Sequence, residues 1–177
     1  MKDCVEPADT GDEKCHCVTF MLGGDLFAID ILFIREIIEL ECITRVPMMP
    51  EFVRGIINLR GAVVPVIDLS IRFGRCHTKI KPSTCVAILS LPNADARYSE
   101  VGFLLDAVCE VLEIPWENID PTPTFGVNIR GDFIEGIATI NAKFAILLDV
   151  RKALSVADLS AIVEAANQQQ FDDVERI

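Results

Sequence analysis

Three groups of residues have types and spacings that could do chemistry. The first is Cys15–His16–Cys17, with Cys4 upstream, a set of thiol and imidazole ligands. Structural zinc sites space paired cysteines by two to four residues and close the tetrahedron with a second pair. Here one residue separates the cysteines and no second pair follows, so the cluster reads as structural or incidental and no metal is expected. The second group is Asp30, Asp68, Asp106 and Asp149, each ending a short apolar run. Acid–base catalysis draws on histidine or on carboxylates pressed together in a cleft. Four carboxylates repeated at the ends of runs point to folding instead. The only histidines, His16 and His77, fall in the N-terminal segment and in a loop between the two halves. Phosphate-loop, dinucleotide, nucleophile-elbow and zinc-protease motifs are absent from the sequence. Neither an enzymatic function nor a cofactor is expected. The third feature is Arg60, beside Gly61 in a short turn. Its guanidinium either recognises a partner or pairs with Glu36 or Asp30; a fork fixed by a carboxylate at a surface would do both.

The elements that position these residues follow from composition and patterning. The 177 residues are 51% hydrophobic and 24% charged, enough to bury a core. No apolar run approaches the roughly 20 residues of a membrane span, and Met1–Lys2–Asp3–Cys4 opens no signal peptide. A cytoplasmic protein without direct membrane insertion is expected. The net charge of −11 disfavours nucleic acid, which demands a phosphate-neutralising surface. Seven cysteines, an odd number without a secretory signal, read as reduced thiols, with Cys85 and Cys109 acting as small hydrophobes.

Residues 1–16 read as a flexible tail. Val18–Leu22 and Leu26–Ile29 flank Gly23–Gly24–Asp25, a hairpin signal. Ile31–Glu36 suggests a helical turn and Ile37–Thr44 a strand, followed by a loop at Pro47–Met48–Met49–Pro50. If exposed, the methionines there are a candidate partner contact. Ile56–Leu59 and Ala62–Ile67 are strands joined at Arg60–Gly61, and Pro65 predicts an edge strand or a bulge. Further strands are expected at Cys85–Leu91, Val101–Leu105, Ile137–Ile140 and Phe144–Leu148. One long helix closes the chain, with Ser155 and Asp158 as a capping pair and Val156, Leu159, Ile162, Val163 and Ala166 on one face. Residues 167–177 are expected to fray.

The chain also echoes itself. Gly55–Gly61 aligns with Gly136–Ala142, and the match runs on without a gap from Val64–Leu69 to Ala145–Val150. Phe27–Asp30 similarly resembles Phe103–Asp106. Two copies of one β unit imply two small, similar subdomains packed together. Asp68 and Asp149 coincide, which predicts that both accept amide hydrogen bonds where a helical turn begins. Arg60 falls opposite Asn141, so its turn does not require an arginine.

Phe27–Leu32, Ile34–Ile37 and above all Arg54–Gly55–Ile56–Ile57–Asn58–Leu59–Arg60–Gly61, running on to Leu69, resemble the signature of the CheW family, and Val101–Asp106 with Val108 and Val111–Leu112 fits its second half. The resemblance covers about Cys17 to Ala166. It implies a mainly all-β fold over residues 17–166: two interleaved, SH3-like five-stranded barrels with short helices and a C-terminal helix. It implies a non-enzymatic adaptor coupling the cytoplasmic tips of methyl-accepting chemoreceptors to the histidine kinase CheA, within rings that other CheW-like domains can join. Service in surface motility or biofilm control, rather than swimming, is the alternative. Carried over by position, the receptor groove would include Ile31, Ile34, Glu36 and Arg60, with Val86 nearby. Taken alone Ile34 is better read as core; beside Glu36 and Arg60 in the family pattern the core and groove readings stand even. Val101, Gly102 and Phe103 are candidates for the kinase-facing edge, and Gly55 and Gly61 for backbone geometry.

Overall fold

The computed structural model describes residues 14–121 and 131–175. In chain order its elements are β1 (Lys14–Leu22), β2 (Asp25–Asp30), β3 (Ile34–Glu39), β4 (Val53–Leu59), β5 (Ala62–Asp68), α1 (Leu69–Arg72), β6 (Cys85–Pro92), β7 (Tyr98–Leu105), β8 (Ala107–Pro115), β9 (Ile119–Asp120), β10 (Ile134–Ile140), β11 (Lys143–Leu148), α2 (Val150–Ala153) and α3 (Val156–Glu175). Single 3₁₀ turns precede β3, β9 and β10.

The strands form two sheets, six strands in the order β8-β1-β2-β11-β10-β9 and five in the order β3-β6-β7-β5-β4. The halves interleave. After the hairpin β1–β2 the chain crosses to the five-stranded sheet with β3, and after β6–β7 it crosses back with β8. Each sheet has its own small apolar core, Cys15, Cys17, Ala28, Ile114, Ala138 and Leu147 in one, and Ile57, Val64, Val66, Val86, Ile88 and Leu104 in the other. A larger core lies between the sheets. There Phe20, Phe27 and Ile29 meet Ala87, Leu89, Val101 and Phe103, and Leu159 and Ile162 of α3 cover one side. Phe20, Phe27, Phe73 and Phe133 form a chain of rings with successive centroids 5.8 Å apart.

The internal echo is a structural duplication, and it begins earlier than Gly55. The amide of Asp68 donates to Phe52 O, and that of Asp149 to Phe133 O, the same bond 81 residues later. Both carboxylates then cap a one-turn helix, Asp68 through Ser70 N and Asp149 through Lys152 N. Both hairpins, β4–β5 and β10–β11, turn through two residues at positive φ, Arg60–Gly61 and Asn141–Ala142. Two left-handed residues match the right-handed twist of paired strands.

Several expectations need correction. Residues 14–16, expected within the flexible tail, belong to strand β1, where Lys14, Cys15 and His16 pair with Pro115, Ile114 and Glu113. Residues 1–13, Cys4 among them, lie outside the described residues. The helix does not end at Ala166 but runs to Glu175; alanine and glutamine from Ala165 to Gln170 favour helix. The turn expected over Ile31–Glu36 shrinks to Ile31–Phe33, and the β-branched residues from Ile34 begin β3 at once. Strand β8 was not expected; its charged residues Glu110 and Glu113 and a shift of register between Val18 and Phe20 blur the alternation. Pro65 occupies an inner strand with no bulge opposite it. Parallel pairing of β5 with β7 starts only at Val66, so the missing amide falls just before that ladder. The Ser155–Asp158 capping pair is as expected, with Ser155 Oγ accepting from Asp158 N at 3.1 Å and donating to its carboxylate at 2.8 Å.

Candidate functional site

Strand β3 organises the site because it is an edge strand with a bulge. Ile34 pairs with Leu89, but Glu36 pairs with Ile88, so two steps along β3 match one step along β6. Cross-strand partners share a face, so the bulge turns Ile34 and Glu36 to opposite sides of the sheet. Ile34 packs on the large core between the sheets, whereas Ile38 joins the small core within its own sheet. The residues proposed together from the sequence are therefore divided between two surfaces.

On the inner face, Arg60 reaches from the β4–β5 turn across the open side of the sheet to Glu36. Nη1 and Nη2 donate to Oε1 and Oε2, both at 2.8 Å. This two-pronged ion pair ties the two edges of the five-stranded sheet, β3 and the β4–β5 hairpin, to each other. Of the two readings of Arg60, the structural ion pair forms, and its partner is Glu36 rather than Asp30. The arginine side chain is nonetheless 76% exposed, so the guanidinium also borders solvent. Asn58 Oδ1 accepts from Gly61 N at 3.0 Å and pins the turn that projects Arg60. Beside the clasp a cavity of about 630 Å³ opens between Ile38–Cys42 and Ile57–Leu59, with Val86 in its lining. Val86 opposes Ile38 and is fully buried, so it shapes this face from beneath. Gly55 lies in β4 at a bulge rather than in a turn; a Cβ there would collide with the Thr44 backbone, which bridges Ile56.

The other side of β3 faces the rim between the sheets. Ile37 opposes Ala87, and Glu39 opposes Cys85. Burial pushes the Cys85 thiol up, and the nearby Val108 backbone offsets part of this. Val108 opposes Phe20 and Val111 opposes Val18, so both valines point to the same inter-sheet side. Ile34 and Ile37 on β3 and Val108 and Val111 on β8 thus turn to the inter-sheet side of two edge strands, one in each sheet. Ile31 and Leu32 sit just before β3, on a turn capped by Asp30. Here apolar side chains are left in solvent: Ile31 37%, Leu32 86%, Ile37 38%, Val108 37% and Val111 60%. Sequence reasoning singled out Ile31 and Ile34 but missed Leu32, Ile37 and the β8 wall. Val108 and Val111 stood in the family pattern, but a neighbouring shift of register gives them three-residue rather than two-residue spacing and hides that they share a face.

Val101, Gly102 and Phe103 lie in β7, an inner strand, and are buried. Gly102 makes room for Val86, whose Cγ1 would stand 2.6 Å from an added Cβ. These residues build the core, and none of their side chains reaches the surface. Met48 is fully exposed at φ 63°, while Met49 packs on the large core.

Cys15 and Cys17 point into the core of the six-stranded sheet, and His16 turns outward to Glu113 at 3.5 Å. Strand alternation thus separates the imidazole from the thiols. Desolvation, with Asp30 nearby, pushes the Cys15 thiol up to about 12, and burial raises Cys17 as well. Such thiols are neutral, poor ligands and poor nucleophiles. Among the described residues no group of three His, Cys, Asp or Glu is placed to hold a metal, and no helix is long and apolar enough to cross a membrane.

Comparison with known proteins gives a consistent result. Residues 16–158 match the family model described as the CheW-like domain. "Chemotaxis protein CheW" of Klebsiella aerogenes is 32% identical over 147 residues, 83% of this chain and 86% of its own. "Probable chemotaxis protein CheW" of Rhizobium etli is 32% identical over 161 residues, covering 91% and 99%. Among solved structures, the scaffolding protein TtCheW from Thermoanaerobacter tengcongensis superposes with a TM-score of 0.72 at 31% identity, over 86% of this chain and 96% of that one.

Proposed function

The chain belongs to the CheW family, and from that premise we propose that it couples methyl-accepting chemoreceptors to the histidine kinase CheA, with the receptor's helical hairpin tip seated in the groove between β3 and β8. Its class is that of a chemotaxis scaffold, not an enzyme. The observation that carries the receptor assignment is the concentration of half-exposed aliphatic residues on two edge strands from opposite sheets, Ile37 on β3 and Val108 and Val111 on β8, all turned to the inter-sheet side. An apolar trough of this kind suits the apolar stripe of a helix. The Glu36–Arg60 clasp holds β3 from behind, so these residues act by placing the groove wall.

Coupling works through simultaneous weak contacts. Each interface need be only about micromolar, near 8 kcal/mol, because assembly in an array raises the effective concentration of the others. A receptor signal alters the kinase only as far as the receptor's two states contact the groove differently. CheA, and other CheW-like domains in rings, engage surfaces other than this groove; Val101–Phe103 are not among them.

The test is a pull-down with CheA and a receptor cytoplasmic fragment, comparing the native chain with Ile34→Ala, Arg60→Ala and Val108→Glu. Coupling requires that the native chain bridge both partners and that the folded variants keep the kinase while binding the receptor more weakly, Val108→Glu most of all. A native chain that binds neither partner defeats the proposal.

A further inference from the structure

The groove has one wall on each sheet, so its width depends on how the sheets are held together, and one side chain stands where they meet. Arg72, the last residue of α1, has Nε donating to Ala153 O at 2.9 Å and Nη2 donating to Asp158 Oδ2 at 3.1 Å. Its guanidinium also lies over two rings, 4.8 Å from the centroid of Phe52 and 5.4 Å from that of Phe133. Phe52 leads into β4 of the five-stranded sheet and Phe133 into β10 of the six-stranded one. These rings are duplicates of each other, 81 residues apart, and the counterpart of Arg72 itself is Ala153, the residue whose carbonyl it binds. A single guanidinium thus occupies the pseudo-two-fold junction of the duplicated units. The other half supplies alanine at the equivalent position. Asp158, the third partner, also closes the capping pair of α3, so the same arginine fastens the helix that covers the inter-sheet core.

We propose that Arg72 is the positioning residue that fixes the two sheets relative to each other and thereby sets the width of the groove between β3 and β8. This rests on the receptor reading of that groove for its consequence, though not for its geometry. A planar cation stacked between two rings and bonded along its edge resists rotation about several axes at once. A lysine at the same position keeps a charge for Asp158 but has no plane to stack and no edge to share.

The experiment places spin labels, through cysteine-independent chemistry, at the exposed positions Glu39 and Glu110 on opposite sides of the groove. Distance distributions by pulsed electron resonance and the affinity for a receptor cytoplasmic fragment are measured for the native chain, Arg72→Lys and Arg72→Met. The expected result is a broadened or shifted distribution in both variants. Receptor affinity falls about tenfold in Arg72→Met, the scale of losing a desolvated cation's contacts, with Arg72→Lys between. A folded Arg72→Met with a native distribution overturns the proposal, whatever its affinity. Should Arg72→Met fail to fold, Asp158→Asn takes its place, since the asparagine keeps an acceptor for Ser155 while losing the charge that Arg72 binds; an unchanged distribution there overturns the proposal too. If the distributions change while the native chain binds no receptor, the positioning role stands and the receptor assignment falls.

Discussion

The clasp between Glu36 and Arg60 gives the sharpest quantitative prediction, because its two possible roles differ in arithmetic. Both prongs are 2.8 Å long, and charge-assisted hydrogen bonds of that geometry are worth about 1.5–3 kcal/mol when shielded. Arg60 is 76% exposed, however, and Glu36 27%, so solvent screening reduces the pair toward the upper end of exposed ion pairs, about 1 kcal/mol. A double-mutant cycle of Glu36→Gln and Arg60→Ala, read by urea denaturation, should return a coupling energy of that size. If the clasp acts on the receptor only by holding β3, the binding-competent population falls by at most the Boltzmann factor of the same energy, about fivefold.

Each single substitution should then weaken receptor binding by no more than that factor, about fivefold, and the double variant should do no worse. The assay is calorimetric or fluorescence titration of a receptor cytoplasmic fragment into the four proteins. A different result would sink the reasoning: Arg60→Ala costing far more than Glu36→Gln, with the two effects adding. That pattern means the guanidinium touches the receptor directly and the ion pair is incidental.

Three other outcomes follow from local geometry. Gly55→Ala should destabilise the fold by about 1–3 kcal/mol in denaturant titration, since the new methyl meets the Thr44 backbone; a neutral result would mean the β4 bulge relaxes freely. Burial and the carboxylates of Asp149 and Asp30 raise the Glu135 carboxyl, an acid whose folded form holds its proton too tightly. The stability gained from that proton is complete below the unfolded value, about 4.3, and is lost as pH rises through the folded one. Glu135→Gln should therefore raise the melting temperature at pH 7 and lose that advantage near pH 4, whereas an equal gain at both would refute the cause. Mass-spectrometric footprinting of the folded protein at pH 8 with a thiol reagent should label Cys42, Cys76 and Cys109, all exposed, and leave Cys15 and Cys17 unmodified. Rapid labelling of the latter pair would place β1 outside the core.

The duplicated unit was legible because its signals are local. Glycine-bearing turns, β-branched runs and capping aspartates predict the β4–β5 and β10–β11 hairpins and the roles of Asp68 and Asp149 from chain neighbours alone. The receptor groove was only half legible. Ile31, Ile34, Glu36 and Arg60 lie in that patterned region, but which of them share a face depends on the bulge in β3, and a bulge is set by pairing with β6 some fifty residues on. Strand β8 escaped for the same reason: Val108 and Val111 face one way only because register slips against β1. The burial of Val101–Phe103 was not legible because an apolar run looks alike at an edge and in an inner strand; strand order, a long-range property, buries it here.

The two halves repeat a backbone, and their differences show where function has been placed on it. Where the first half has Arg60 to clasp its edge strand, the second has Asn141. In the second half Thr19 instead braces the edge strand, its hydroxyl donating to Glu110 O and accepting from Glu110 N inside β8. One wall of the groove is thus fixed through a charged, solvent-bordering ion pair and the other through a buried hydroxyl. Salt weakens the first and leaves the second nearly untouched. Rising ionic strength should accordingly loosen β3 before β8, and hydrogen exchange at Ile37 and Ile38 should quicken with added salt while exchange at Glu110 and Val111 holds steady. If both strands respond alike, the clasp is not what holds β3, and the division of labour between the two halves must be drawn elsewhere.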